Sequence, residues 1–284
     1  MLQRRKQSLK LGKYQSGRHA FRAAPLGQQL PTSRGVSRFA QAFAGLELRV
    51  RSLDQTHEER VVPTVLITGC DTGLGVEFAH QYAADGWRVL ATCLDPERAG
   101  ETRAIRGDIF VERLDVSDHA QITALAERWR GESIDILLSN AGIGRPHPPF
   151  GETDYANWRR ILEVNLIGPM KLAETFVEHV ARSERKMMAF VSSRMGSIAL
   201  NLSGGSYAYR SSKAGLNAVV RSLAVDLARR EICVLALHPG WAKTEPGARV
   251  EVNESVAGMR GVIERAGRHH TGSFVTYHDQ PLPW

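Results

Sequence analysis

The chain has 284 residues, 43% of them hydrophobic, enough to bury a full core in one large domain. No run approaches the ~20 apolar residues that span a bilayer, and its three cysteines, Cys70, Cys93 and Cys233, lack Cys-x-x-Cys spacing, which argues against a disulfide framework or thiolate metal site and for a reducing compartment. The net charge of +7 is a local property: residues 1–60 hold 12 Lys/Arg and 4 Asp/Glu, whereas 61–284 hold 25 and 26, and so near-neutral a body argues against nucleic-acid binding.

Residues 1–40 carry nine Lys/Arg and no acidic residue, without the continuous apolar segment of a secretory signal. Three readings stay open: an organellar transit peptide, a disordered basic arm, or sequence upstream of the true translation start. Residues 1–60 are therefore set apart from a folded domain over 61–284. The expected compartment is the cytoplasm, or the mitochondrial or plastid matrix if 1–40 is a transit peptide.

Ordered structure is expected to begin with a buried strand from Val61 to Ile67. It ends in Thr68-Gly69-Cys70-Asp71-Thr72-Gly73-Leu74-Gly75, and an amphipathic helix follows from about Val76 to Ala84. Strand, glycine-rich turn and helix is the context of a dinucleotide-binding turn, where glycines let the backbone approach a pyrophosphate at a helix N-terminus. Further strands are predicted over 87–93, 109–114 (running into Asp115-Val116) and 134–138 (running into Ser139-Asn140-Ala141-Gly142), with a helix over 119–129. This alternation predicts a single-domain, doubly wound α/β fold with a parallel sheet of about seven strands.

A long helix is predicted over 154–181. It contains Asn165, a polar residue among apolar neighbours, and Gly168-Pro169 beside it signals an irregularity. A strand over 187–191 leads to Ser192-Ser193-Arg194-Met195-Gly196, at the strand end where open α/β sheets bind ligands. On the next amphipathic helix, Tyr209 and Lys213 are four residues apart and share one face. A cation beside a phenol favours the phenolate, which yields an acid/base usable near neutral pH. A strand over 232–237 ends in His238-Pro239-Gly240-Trp241, and a helix over 254–266 and a strand over 273–277 complete the chain. The ten histidines show no metal-ligand spacing, and His269-His270 reads as a solvated turn.

These motifs together resemble the short-chain dehydrogenase/reductase family, over about 61–284. They are Thr68-Gly69-x-x-x-Gly73-x-Gly75, Asn140-Ala141-Gly142, Asn165, Ser193, Tyr209-x-x-x-Lys213 and Pro239-Gly240-x-x-x-Thr244. The Ser-Arg-Met-Gly-Ser-Ile run, His-Pro-Gly-Trp and the Leu282-Pro283-Trp284 tail are similar to the branch of C-factor and sniffer-type carbonyl reductases. The resemblance implies hydride transfer between NAD(P) and a small carbonyl or alcohol substrate, in a homodimer or homotetramer. It gives Tyr209 the proton transfer, Ser193 the polarisation of the carbonyl, and Lys213 the nicotinamide ribose and the tuning of Tyr209. Asn165 would position a water leading from Lys213 to solvent. The implied cofactor contacts are Gly69, Asp71, Gly73, Leu74, Gly75, Leu94, Asp115, Val116, Asn140, Ala141, Gly142, Pro239, Gly240 and Thr244, with Tyr209 and Lys213.

Two departures from that pattern carry information. Ser193 lies sixteen residues before Tyr209, longer than the commoner family spacing but matched by the C-factor-like branch. Leu94 stands where that branch often has an Arg to pair with the 2′-phosphate of NADP, and Asp71 would repel that phosphate while accepting from a 2′-hydroxyl. NAD(H) is therefore expected over NADP(H), with Arg98 as a cation that could reverse the choice. An alternative function is an NAD(P)-binding signalling or scaffold protein of the C-factor type. A pure binding role would tolerate loss of Tyr209 or Ser193, and both positions are filled.

Overall fold

The computed structural model describes residues 62–144, 148–242 and 249–284. The predicted extension and Thr244 lie outside these residues. Seven strands form one parallel sheet: β1 (Thr64–Thr68), β2 (Arg88–Cys93), β3 (Ile109–Arg113), β4 (Ile136–Ser139), β5 (Met187–Val191), β6 (Cys233–His238) and β7 (Ser273–Thr276). Their order is β3-β2-β1-β4-β5-β6-β7, with every neighbouring pair parallel. All carboxyl ends therefore meet at one edge of the sheet. The direction of winding reverses between β1 and β4, the switch point at which such sheets open a crevice for ligands.

Both faces of the sheet are covered, so β1, β4 and β5 are buried at every position. Alternation still assigns each side chain to a layer. Val65, Ile67, Met187, Ala189, Leu235 and Leu237 join the layer under helices α1 (Leu74–Ala84) and α7 (Val252–Arg265), with Phe78, Val256 and Met259. Leu66, Met188, Phe190, Val234 and Ala236 join the other, under α3 (His119–Arg128), α5 (Gly168–Ala181) and α6 (Tyr207–Asp226), with Ile122, Phe176 and Val220. Fully buried side chains of this size contribute roughly 1.5–3 kcal/mol each relative to exposure. A short helix, α2 (Gly100–Arg103), was not expected from the sequence.

The predicted helix over 154–181 is three pieces in sequence: α4 (Tyr155–Leu162), a π-helical turn (Glu163–Ile167) and α5. Asp154 caps it, accepting from the Ala156 and Asn157 N–H groups at 3.0 Å. The irregularity signalled by Gly168-Pro169 is this π turn, and Asn165 sits inside it, fully buried. A Cβ on Gly168 would lie 2.4 Å from the Val116 carbonyl oxygen, so only glycine lets this helix approach the segment after β3. His269-His270, expected as a solvated turn, forms one 3-10 turn with Arg268, and His270 is half-buried.

Candidate active site at the carboxyl edge of the sheet

The glycine turn after β1 is built by close backbone approach. Gly69 has φ 72°, and a Cβ there would lie 2.7 Å from the Ala141 Cα. A Cβ on Gly75 would meet the Gly69 carbonyl oxygen at 2.0 Å. Gly73, at φ 62°, precedes α1 without a side-chain cap, leaving the first N–H groups of the helix for an anion. Asn140 ties this turn to β4: its Nδ2 donates to the Thr68 and Gly69 carbonyls at 3.0 and 3.1 Å. Thr68 Oγ1 in return accepts from the Asn140 and Ala141 N–H groups, both at 3.1 Å. The amide of Asn140 thus braces the turn.

At the end of β2, the Asp71 carboxylate accepts from the Leu94 N–H at 2.9 Å and from the Asp95 N–H at 3.3 Å. Leu94 is half exposed. Arg113, at the end of β3, donates from Nε to the Leu94 carbonyl at 3.2 Å, and its guanidinium is exposed. An acid and a base therefore flank the Leu94 peptide. Sequence reasoning singled out Arg98 and missed Arg113, although β2 and β3 were both expected as strands. What it lacked was the pairing of Cys93 with Arg113. Asp115 Oδ1 accepts from the Ser117 N–H at 2.9 Å and from its hydroxyl at 2.6 Å. Burial pushes the Cys93 thiol up to about 12, with the Asp71 charge adding to the effect, so this cysteine stays a thiol near neutral pH.

The second half of the site gathers on α6. Lys213 is buried, and its Nζ donates to the Val191 carbonyl at 2.9 Å and lies 5.9 Å from the centroid of the Tyr209 ring. Burial pulls its ammonium down to about 8, which leaves it mostly charged at pH 7. The loop after β4 threads past these groups. A Cβ on Gly142 would lie 3.3 Å from Asn165 Oδ1 and 3.5 Å from Lys213 Nζ, and one on Gly144 would lie 3.3 Å from the Tyr209 ring. Asn165 holds that loop in place by accepting from the Ile143 N–H at 2.8 Å and donating to its carbonyl at 2.7 Å. Its Nδ2 also reaches Ser212 Oγ at 3.1 Å. The buried asparagine fixes backbone.

Ser193 has extended backbone at the end of β5, and its Oγ accepts from the Met195 N–H at 3.2 Å. That leaves the hydroxyl proton to donate. Gly196 is pressed against α6: a Cβ there would lie 2.8 Å from the Lys213 backbone carbon and oxygen. Asn217, buried one turn after Lys213, accepts from Ser192 Oγ at 2.6 Å and donates to the Gly196 carbonyl at 3.3 Å. It was not foreseen, yet Tyr209, Lys213 and Asn217 repeat at four-residue steps on one helix face. After β6, Gly240 has φ 76°, with the Tyr277 ring 2.8 Å from where its Cβ would lie, and the Pro239 carbonyl accepts from Ser255 Oγ at 2.5 Å. The structure thus brings Gly69–Gly75, Leu94, Asp115, Val116, Asn140–Gly142, Asn165, Ser193, Tyr209, Lys213, Pro239 and Gly240 to one sheet edge.

A doubly wound sheet with a glycine turn at the switch point and a Ser-Tyr-Lys set beside it defines a dinucleotide-dependent oxidoreductase. The comparisons with known proteins narrow this further. Residues 63–255 match the family model described as short chain dehydrogenase. The chain is 38% identical over 154 residues to the C-signal of Myxococcus xanthus, covering 53% of this chain and 93% of that protein. It is 31% identical over 230 residues to 1-hydroxy-2-glutathionyl-2-methyl-3-butene dehydrogenase of Rhodococcus sp. (strain AD45), covering 78% and 99%. Among solved structures, carbonyl reductase Sniffer of D. melanogaster matches with a TM-score of 0.73 at 29% identity, covering 78% of this chain and 100% of that chain. A carbonyl reductase from Pseudomonas aeruginosa PAO1 in complex with NADP matches with a TM-score of 0.71 at 33% identity, covering 78% and 100%. The chain belongs to the short-chain dehydrogenase/reductase family. It is an NAD(P)-dependent oxidoreductase that transfers hydride between the nicotinamide and a carbonyl or alcohol substrate.

Among the described residues, no helix is long and apolar enough to cross a membrane, and no cluster of three or more His, Cys, Asp or Glu could hold a metal.

Proposed function

We propose that the protein is a carbonyl reductase in which Tyr209 donates the proton to the substrate oxygen as hydride arrives, and takes it back in the reverse direction. One observation carries this reading: the Lys213 ammonium lies 5.9 Å from the Tyr209 ring in a buried setting, where a cation acts strongly on a phenol. Ser193, with its oxygen already accepting from the Met195 N–H, has its proton free to polarise the carbonyl. Lys213 would hold the nicotinamide ribose. Asn165 acts mainly by fixing the loop at Ile143, since its side-chain amide is taken up there and at Ser212.

The cofactor would lie along Gly69–Gly75, with its adenosine end at Asp71, Leu94, Asp115, Val116 and Asn140. The bound nicotinamide supplies the hydride; Ala141, Gly142, Pro239, Gly240 and Thr244 would line its side of the cleft. We propose NAD(H) over NADP(H), because the Asp71 carboxylate reaches the Leu94 N–H, where the adenosine ribose hydroxyls are read in such folds. Arg113 is the group that opposes this preference. The domain would run from about residue 61, and the working unit would be a homodimer or homotetramer in the cytoplasm, or in an organellar matrix if 1–40 is a transit peptide. A signalling role of the C-factor type has no use for a buried lysine beside a tyrosine. The test is Tyr209→Phe, assayed for carbonyl reduction and for cofactor binding: lost turnover with retained binding is expected, and unchanged turnover removes Tyr209 from the mechanism.

A further inference from the structure

Next to Ser193 in the chain, a cavity of about 340 Å³ opens at the carboxyl ends of β6 and β7, the size of a small-molecule site. Its walls include Arg194, Leu200, His238, Tyr277, His278 and Leu282. Two polar groups in its wall are Arg194 and His238. Arg194 is exposed and makes no ion pair among the described residues, whereas Arg88, Arg128, Arg185, Arg230 and Arg260 each hold a carboxylate. His238 Nδ1 is buried without a hydrogen-bond partner. None of the described lining residues is Asp or Glu, so no described neighbour in the cavity neutralises the guanidinium. Burial, helped by the Arg194 charge, pulls the His238 imidazole down to about 4, so it stays neutral at pH 7 and can donate from one nitrogen.

We propose that this cavity holds a carboxylate carried by the carbonyl substrate, with Arg194 as its counter-charge and the neutral His238 imidazole in its wall. The inference rests on the reductase reading. Arg194 directly follows Ser193 in the chain, so one molecule can place an anion on Arg194 and its carbonyl oxygen on Ser193. The preferred substrates are therefore oxo acids with a few carbons between the two groups, and the leucines and Tyr277 enclose those carbons.

The test compares 5-oxohexanoate with 5-oxohexanamide, which differ in charge and little in shape. With the wild-type protein, kcat/KM is expected to favour the acid by about tenfold to a hundredfold, the scale of a charge-assisted contact to arginine. Arg194→Gln should bring that ratio to about one. Equal use of the two ketones by the wild type, or a ratio that survives in Arg194→Gln, overturns the proposal. Calorimetry with unreactive hexanoate and hexanamide on the cofactor-loaded protein reads the subsite without turnover. If neither ketone is reduced, the reductase reading has failed, and hexanoate binding lost in Arg194→Gln still upholds the anion site. Hexanoate binding no tighter than hexanamide overturns it. Inorganic phosphate binding as tightly as hexanoate marks a free-anion site and overturns the assignment to substrate.

Discussion

The two halves of the cleft differ in how their polar groups are satisfied. Around β1, β2 and β4, Thr68, Asp71 and Asn140 all spend hydrogen bonds on backbone groups of neighbouring segments. Around β5, β6 and β7, Arg194 has no ion pair among the described residues and His238 Nδ1 has no partner. The first half is a rigid mould, suited to a ligand that is the same in every cycle. The second keeps the Arg194 guanidinium uncommitted beside the catalytic serine, which suits discrimination among substrates by charge. Lys213 and Asn217 lie on the boundary and lock α6 to β5, so the reacting groups inherit the rigidity of the mould.

The largest effect is expected where that rigidity serves chemistry. Tyr209→Phe removes one oxygen and should lower turnover by ~10²-fold or more, the usual scale for a positioned acid/base, while the dissociation constant of the cofactor changes little. Stopped-flow reduction and fluorescence titration read the two quantities separately. A parallel loss of cofactor binding would show that Tyr209 belongs to the mould instead.

Cofactor choice sharpens the comparison within the mould, because acid and base flank one peptide there. Leu94→Arg should move the preference towards NADPH, and Arg113→Gln should move it towards NADH. Each change involves one charge-assisted contact of ~1.5–3 kcal/mol, or roughly tenfold to more than a hundredfold in affinity. Titration of NADH and NADPH into the wild type and both variants decides the matter. Tighter NADPH binding by the wild type, abolished in Arg113→Gln, would reverse the proposed preference and make Arg113 the reader of the 2′-phosphate.

Lys213 gives a pH dependence with two opposite signs. Its folded pKa of about 8 lies below the usual lysine value, so the native state sheds the proton first as pH rises. The unfolded state then binds more protons, and stability contributed by this group increases between about pH 8 and the unfolded pKa near 10.4. Below about pH 8 the cost of burying the charge is fully present. Function runs the other way, because the cation that acts on Tyr209 and the ribose is lost over the same window. The cofactor-free protein should therefore gain thermal stability from Lys213 above pH 8 while kcat/KM declines. Lys213→Met should flatten the stability component, which a melting series at several pH values measures against the wild type.

How far the sequence carries follows from which contacts are local. The sheet, its strands and the Tyr209–Lys213 face were legible, because short apolar runs and i,i+4 spacing act within a few residues. The glycine turn was legible as a type, but the reason for Gly75 was not, since its neighbour Gly69 is held there by folding of the turn on itself. Asn165 read as an irregularity and proved to be a buried clamp on Ile143, twenty-two residues away. Arg113 and the Arg194–His238 cavity depend on strand neighbours whose pairing the chain order does not state. The sequence thus carries the scaffold and the reacting groups better than the groups that choose ligands.

The smallest effect is expected from the basic extension, and it tests where the comparison ends. Residues 1–60 carry a net charge of +8, while 61–284 carry −1. If the extension served the cleft, its charge would act on an anionic cofactor at long range, and such an effect fades within a Debye length of ~8 Å at physiological salt. Among the described residues, both halves of the cleft are built after Val62 and the core layers under the sheet are filled from Val65 onward. Deleting 1–60 should therefore leave the melting temperature, the cofactor affinity and the turnover of the remaining domain nearly unchanged at 150 mM salt. A modest loss of cofactor affinity that appears only at low salt is compatible with a tethered basic arm. A large loss of folded protein, or of activity at any salt, would place part of the extension within the domain and move its boundary upstream of residue 61.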